Sequence, residues 1–141
     1  MKFGTHKYNA KKTIVDGISF GSKLEANCYQ VVRDSGLDYE LQKAFVLQQN
    51  FEYEGKKIQP IKYVCDSFIL KKDIYVIDAK GMLLPAFNLK AKMFLYKFKT
   101  PIICVSSAKK MSMAMDMIKE GVSASEINET LKPKKKKKLT K

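Results

Sequence analysis

The sequence predicts an α/β protein in which a mixed β-sheet is flanked by helices and followed by C-terminal helices and a basic tail. Three observations predict this fold class. Apolar residues recur at helical spacing in residues 22–34, strand-like segments fill residues 43–81, and a second helical segment leads into the apolar strand "IICV". A strand, a helix and a strand at this spacing form a right-handed crossover between parallel strands. The predicted order is therefore α-β-β-β-α-β, with the last strand parallel to the third.

The first helix is predicted over "SKLEANCYQVVRD", where Ser22 is a favourable N-cap and Gly36 follows the end. Its apolar face consists of Leu24, Cys28, Val31 and Val32. Glu25 stands at capping-box spacing from Ser22, so its carboxylate could satisfy a free amide at the helix start. Glu25 also borders the apolar face and could reach the edge of the sheet. The sequence leaves both roles open.

Two turns separate the three strands predicted within residues 43–81. The first turn centres on residues 54–56 and the second on residues 71–73. Pro60 cannot donate a ladder hydrogen bond, so the second strand is predicted to be irregular, or to lie at an edge, near its start.

Three further helices are predicted after these strands. The first begins near Pro85, and its expected apolar face comprises Leu89, Met93, Tyr96 and the neighbouring Phe94. The next, "KKMSMAMDMIKEG", places Met111, Met115 and Ile118 on one face, which could pack in the core or cover a dimer interface. The last, "SEINETLK", is expected to be capped by Ser123 or Ser125 and to end before Pro133.

Length and charge favour one basic domain. We assign residues 1–131 to this domain, with a basic arm (1–13), a core (14–106) and a helical part (107–131), followed by a Lys-rich tail (132–141) that we expect to be disordered. The formal net charge is +13, and subtracting the seven lysines of the tail leaves +6 for the domain. Such a field favours a polyanion, most simply nucleic acid.

The composition excludes several classes of site. The three cysteines are far apart without a CxxC pair, and His6 is the single histidine, so a zinc site, a disulfide framework and histidine-based nucleophilic catalysis lack their residues. No stretch is apolar enough to cross a bilayer, and the N-terminus has no signal-peptide core. We expect an intracellular protein with no membrane partner.

The motif "VIDAKG" carries the strongest chemical signal. Alternation along a strand places Asp78 and Lys80 on the same face. If the preceding loop has three residues, 71–73, then Asp66 of the second strand lies opposite Asp78; a two-residue loop would turn Asp66 away. Two adjacent carboxylates need a proton or a cation between them, and Mg²⁺ is bound by such pairs. A simple ion pair of Asp78 with Lys80 is the alternative.

The chain as a whole resembles the PD-(D/E)XK nuclease superfamily over roughly residues 7–105. The most specific parts are "DGISFGSKLEA" and Asp66 together with "IDAKG"; the opening is similar to that of small phage-encoded members. The resemblance implies a restriction-endonuclease-like α-β-β-β-α-β core. It also implies that Asp66, Asp78 and Glu25 hold a divalent metal with the carbonyl of Ala79, while Lys80 orients the attacking water.

The resemblance implies a Mg²⁺- or Mn²⁺-dependent DNA endonuclease that hydrolyses phosphodiester bonds. Small basic members include Holliday junction resolvases, so we expect a homodimer that cuts branched DNA, phage-encoded and working in the cytoplasm of a bacterial host. The expected DNA-binding residues are Lys7, Tyr8, Lys11 and Lys12 of the arm and Lys90, Lys92 and Lys97 of the second helix. The alternatives are a nuclease of linear duplex, a catalytically inactive nucleic-acid-binding module, and an interaction protein that docks through its methionine helix.

Overall fold

The computed structural model describes residues 12–133. Within this range the chain forms ten short strands and four helices. In chain order they are β1 (Thr13–Val15), β2 (Ile18–Phe20), α1 (Lys23–Asp34), β3 (Tyr39–Leu41), β4 (Ala44–Gln48), β5 (Phe51–Tyr53), β6 (Lys56–Ile58), β7 (Ile61–Val64), β8 (Ser67–Leu70), β9 (Ile74–Ala79), α2 (Pro85–Phe98), β10 (Ile103–Val105), α3 (Ala108–Lys119) and α4 (Ala124–Leu131).

The largest sheet has four strands in the order β10-β9-β8-β3. The pairs β3–β8 and β8–β9 are antiparallel, whereas β9 and β10 are parallel and joined through α2. The mixed α/β class and the parallel crossover are therefore confirmed. The three-residue loop is confirmed as well, because Leu70 lies opposite Ile74 and the turn is closed by a hydrogen bond from Lys71 N to Asp73 O.

The long strands expected in residues 43–81 are broken into shorter ones. The turn near Gly55 is confirmed, but it joins only β5 and β6, which pair in a separate hairpin. Another break falls at Cys65 and Asp66, where the chain stops pairing with β4 and begins pairing with β3. In the segment that pairs with this one, between β3 and β4, the backbone of Gln42 has a positive φ of 54°. The two strands bend together, which a uniform apolar pattern does not indicate.

Strand β9 separates two apolar layers, because its side chains alternate as expected. Tyr75, Ile77 and Ala79 pack against α1, α3 and α4. Val76 packs on the other side against an aromatic cluster, whose members are Phe45, Tyr63, Phe68, Phe87, Phe94 and Phe98. Asp78 also faces the aromatic cluster, where Tyr63 contacts its carboxylate and solvent hardly reaches it.

The apolar face predicted for α2 is wrong, except for Phe94 and the half-buried Met93. Phe94 is fully buried, but Leu89 and Tyr96 are 61% and 80% exposed. The face that packs inward instead comprises Phe87, Ala91, Phe94 and Phe98. Its three phenylalanines are members of the aromatic cluster. The sequence of α2 has apolar residues on more than one side, and contact with Phe45 of β4 decides which side is buried.

The ends and faces of the other helices agree with expectation. Ser22 caps α1, and Ser123 rather than Ser125 caps α4. Met111 and Met115 of α3 are buried against the sheet and α1, so these methionines belong to the core. Within residues 12–133 none of the helices is long and apolar enough to cross a bilayer.

Candidate active site

Asp78 lies near the end of β9 and is 1% exposed. Its Oδ2 accepts a hydrogen bond of 2.5 Å from the hydroxyl of Tyr63, and its Oδ1 lies 3.9 Å from Nζ of Lys80. A buried carboxylate is costly without such partners. The ion pair of Asp78 with Lys80, which the sequence leaves open as an alternative, is therefore present. Its distance of 3.9 Å is longer than that of a hydrogen-bonded ion pair.

Asp66 lies just before β8, where the ladder with β9 ends at the pair of Ser67 with Ile77. Its Oδ2 accepts a hydrogen bond of 2.8 Å from the backbone N–H of Ala79. This bond directs the carboxyl of Asp66 to the end of β9, near enough to Asp78 to raise the pKa of the Asp78 carboxyl. The two aspartates that the register predicted to be neighbours are therefore neighbours.

The proximity of the two carboxyls changes the protonation of Asp78. Burial raises the pKa of Asp78 to about 8, and the hydrogen bond and negative charge of Asp66 act in the same direction. The hydroxyl of Tyr63 and the ammonium of Lys80 oppose this rise but do not cancel it. In the absence of a cation, the pair therefore holds a proton near neutral pH.

Lys80 is held by both its backbone and its side chain. Its backbone N–H donates to Val105 O at 2.9 Å, which fixes the end of β9 beside β10. Its Nζ lies 5.0 Å from the ring centre of Phe87, within the range of a cation–π contact. The ammonium therefore stands between the Asp78 carboxylate and an aromatic face, about one-third exposed to solvent.

Glu25 lies at the start of α1 and lines a small cavity together with Asp66. Its backbone N–H donates to Ser22 Oγ at 3.1 Å, and its carboxylate lies beside Gly21, so Glu25 belongs to the helix cap. Burial and then the negative charge of Asp66 raise the pKa of Glu25. A cavity of about 10 Å³ lies between Glu25 and Asp66, close to the roughly 10–15 Å³ that one water needs.

The aspartate pair has the donor chemistry of a hard divalent cation. Mg²⁺ is bound through one or two carboxylates with water completing the shell, and a cation between Asp66 and Asp78 would replace their shared proton. Within residues 12–133, no three or more His, Cys, Asp or Glu side chains converge on one metal position. The pair therefore fits a metal with water ligands, and the contribution of Glu25 as a ligand stays a prediction.

The expected DNA-binding residues have different surroundings. Lys7, Tyr8 and Lys11 lie outside the described residues, as does most of the lysine tail. Lys12 and Lys92 are exposed and Lys90 is half-buried. Lys97 donates from Nζ to Val46 O at 2.5 Å, so its ammonium ties α2 to β4. Lys97 is nevertheless exposed, so this contact engages its ammonium without burying it.

Tyr63 is the residue of this site that the sequence did not reveal. It lies on β7, is 4% exposed, and contacts Phe45, Phe87 and Phe94. In the sequence, "IKYVCD" indicates only a strand with a buried tyrosine. The contact with Asp78 depends on how β7 and β9 pack, for which residues 61–66 carry no local signal.

The fold and the site define a mixed α/β protein with a buried and a half-buried carboxyl group side by side, and a lysine at the end of a central strand. The chain belongs to the family described as "Protein of unknown function (DUF1064)", whose model matches residues 5–113. That range contains Glu25, Asp66, Asp78 and Lys80. Neither among curated proteins nor among solved structures does the chain have a significant match.

Proposed function

We propose that this protein is a divalent-metal-dependent DNA endonuclease related to the PD-(D/E)XK superfamily. The observation that carries the proposal is the approach of Asp66 to Asp78 beside Lys80. The predicted superfamily motif consists of these three residues, and the fold brings them to one strand end although twelve or more positions separate Asp66 from the other two. A restriction-endonuclease-like core is part of the proposal, supported by the parallel β9–α2–β10 unit.

In this proposal, Asp66 and Asp78 hold a Mg²⁺ or Mn²⁺ ion together with the carbonyl of Ala79, and Glu25 acts from the adjacent helix. The bound ion would act as a Lewis acid on the scissile phosphate and on a water. Lys80 orients that water and balances the charge that develops on the phosphate. Tyr63 and Phe87 keep Asp78 and Lys80 in place through the contacts described above. The water oxygen bonds to phosphorus and releases its proton to solvent, and the bond from phosphorus to the leaving sugar oxygen breaks as that oxygen takes up a proton from solvent.

Branched DNA is the proposed substrate and a homodimer the proposed active form. The net charge of +13 suits a polyanion, and a branch can be recognised through backbone contacts and shape. Cutting of linear duplex is the alternative within the nuclease class. A binding module without chemistry is the alternative outside it, and metal dependence separates the two.

The test is cleavage of a labelled immobile four-way junction and of a linear duplex with the same sequence, each in Mg²⁺ or in EDTA. The wild type is compared with Asp78→Asn and with Asp73→Asn, which makes the same change in the exposed β8–β9 turn. We expect cutting near the branch in Mg²⁺ by the wild type and by Asp73→Asn. We expect Asp78→Asn to bind the junction but to cut at least about 10- to 100-fold more slowly, because loss of even an outer-shell partner of a metal has an effect of this size.

Each outcome selects one proposal. Equal cutting of junction and duplex would keep the nuclease and remove the preference for branches. Binding that weakens with salt, without cutting of either DNA in Mg²⁺ or Mn²⁺, would favour the binding module. Equal activity of Asp78→Asn and wild type would overturn the site itself.

A further inference from the structure

A second concave region adjoins the carboxylate site on the other side of Lys80. It is a cavity of about 550 Å³ between the ends of β9 and β10, the start of α3, and α4. Its lining includes Lys80, Leu83, Cys104, Lys110, Ser125 and Leu131. The volume lies within the roughly 300–1,000 Å³ typical of small-molecule sites. The cavity lies beside the carboxyl ends of the parallel strands β9 and β10.

The chemistry of the walls suits a group that is apolar in one part and anionic in another. Most of the wall surface is apolar, with Leu83, Val105 and Leu131 among its residues. Positive charge comes from Lys80, Lys110 and Lys132, and Glu129 adds one negative charge. Lys132 is paired with Glu129 at 2.7 Å and Lys80 faces Asp78 at 3.9 Å, so among the described residues Lys110 supplies the lining charge that no carboxylate balances. Among residues 12–133, neither the Lys110 ammonium nor the Ser125 hydroxyl has a hydrogen-bond partner. A nucleotide combines a planar, largely apolar base with a phosphate, and it matches this division.

Lys80 belongs to both regions, and this sharing determines which nucleotide could enter. Its side chain faces Asp78 at 3.9 Å and also lines the cavity. A phosphate held at Lys80 would therefore have its own nucleoside at the mouth of the cavity. A stacked and paired base cannot enter such a space, whereas an unpaired base leaves the helix at the lowest cost.

We propose that this cavity receives one unpaired nucleotide of the DNA strand whose phosphate lies at Lys80. The inference rests on the proposed nuclease function and deepens it, because it supplies a physical basis for preferring branched DNA. Unpaired nucleotides occur at bulges, flaps and gaps, and a base beside a branch point leaves its stack at lower cost than a base inside regular duplex. Lys110 contacts the phosphate on the far side of that nucleotide, and the aliphatic walls cover its base.

The experiment uses the full chain in EDTA, so that the reading does not depend on cutting. Two duplexes carry 2-aminopurine at the same position, in one as a single-nucleotide bulge and in the other paired with thymine. The emission of 2-aminopurine is measured at saturating protein. We expect emission from the bulged DNA to rise at least about twofold, because the base leaves its stacked neighbours for an aliphatic pocket. Emission from the paired DNA with protein should differ from its emission without protein by no more than a few tenths of the latter.

Two pairs of variants locate the effect. Ser125→Phe fills the cavity and Lys110→Gln removes one of its cations. Their controls are Ser112→Phe, at an exposed position of α3, and Lys109→Gln, the exposed neighbour of Lys110. We expect the rise to be lost with Ser125→Phe, at least halved with Lys110→Gln, and unchanged with both controls. If Ser125→Phe does not fold, Lys110→Gln and its control still decide the question.

The result separates this proposal from the proposed function. A rise that depends on the cavity, in a protein that never cuts DNA in Mg²⁺, would keep the nucleotide site and remove the nuclease. Metal-dependent cutting without a rise for the bulged DNA would keep the nuclease and overturn the nucleotide site. Equal responses of bulged and paired DNA, or an unchanged rise in both cavity variants, would also overturn it.

Discussion

The hydroxyl of Tyr63 lies 2.5 Å from Oδ2 of Asp78 and donates a hydrogen bond to it. Both residues are nearly inaccessible to solvent, at 4% and 1% exposure. The ring of Tyr63 also contacts Phe87, over which the ammonium of Lys80 lies. One aromatic pair therefore supports the two residues of "DAK" that carry charge. The position of Asp78 therefore depends on the aromatic cluster as much as on β9.

Removal of the Tyr63 hydroxyl should destabilise the protein. The Tyr63→Phe variant keeps the ring and its packing but leaves Asp78 Oδ2 without a donor in a site that water does not reach. We expect the free energy of unfolding to fall by about 1–3 kcal/mol, measured by urea denaturation. Tyr53→Phe is the matched control, because Tyr53 is 62% exposed and its hydroxyl has no partner among residues 12–133. Equal stability of Tyr63→Phe and this control would show that the hydrogen bond adds nothing net.

Asp78 should make the stability of the metal-free protein depend on pH. Its pKa is about 8 in the folded state against an ordinary value of 3.8, so between these values the folded chain retains a proton that the unfolded chain releases. The contribution of Asp78 to stability is therefore fully present below about pH 4 and is lost as pH rises to about 8. We expect the stability of the wild type relative to Asp78→Asn to fall by up to about 1.4 kcal/mol per pH unit.

The measurement is urea denaturation in EDTA from pH 5 to pH 9. The difference between wild type and Asp78→Asn should level off above about pH 8, and the variant should be the more stable protein there. Asp73→Asn changes an exposed aspartate of the same hairpin and should keep the pH dependence of the wild type. A constant difference between wild type and Asp78→Asn over this range would mean that Asp78 is already ionised at pH 5.

The register that brings Asp66 to Asp78 could be predicted, because it depends on local signals. The loop after Leu70 has residues suited to a three-residue turn, and counting back from it along two alternating strands gives the pairing. The parallel β9–β10 pair follows similarly from the strand–helix–strand order. Each of these inferences needs only neighbouring residues and a general rule of chain geometry.

The break at Cys65 and Asp66 could not be predicted in this way. Cys65 N donates to Lys43 O, and Gln42 N donates to Asp66 O, so the bend exists because two distant segments change partners together. The sequence does not predict the short strands β1 to β3 for a related reason, since three residues carry too little periodicity to identify a strand. The parts of the site that depend on such contacts, above all Tyr63, became visible only in the folded chain.

The buried face of α2 leads to a prediction that separates packing from hydrophobicity. Phe94 and Leu89 are both apolar residues of this helix, but Phe94 is fully buried among Phe45, Tyr63 and Phe98 whereas Leu89 is 61% exposed. We expect Phe94→Ala to lower the free energy of unfolding by about 3–5 kcal/mol through the cavity it leaves. Leu89→Ala should change it by less than about 0.5 kcal/mol. Both variants are measured by thermal and urea denaturation. A larger loss of stability in Leu89→Ala than in Phe94→Ala would support the buried face predicted from the sequence.

Asn128 should protect the outer edge of the central sheet. Its side-chain oxygen accepts from Cys104 N at 3.2 Å, and its side-chain nitrogen donates to Ile102 O at 3.0 Å. One amide of α4 therefore replaces a missing neighbour strand at the edge strand β10, where unpaired backbone groups invite association. We expect Asn128→Ala to lower the free energy of unfolding by about 1–2 kcal/mol.

The matched control is Asn27→Ala, because Asn27 is also half-buried in a helix but has no side-chain hydrogen bond within residues 12–133. The second measurement is the rate of amide hydrogen exchange at Cys104. Exchange at Cys104 should become faster in Asn128→Ala and stay unchanged in the control, since only the former exposes this N–H. Faster exchange should be accompanied by concentration-dependent association, detected by light scattering, because the uncovered edge can pair with a second chain. Slow exchange at Cys104 in Asn128→Ala would show that α4 covers the edge by packing alone.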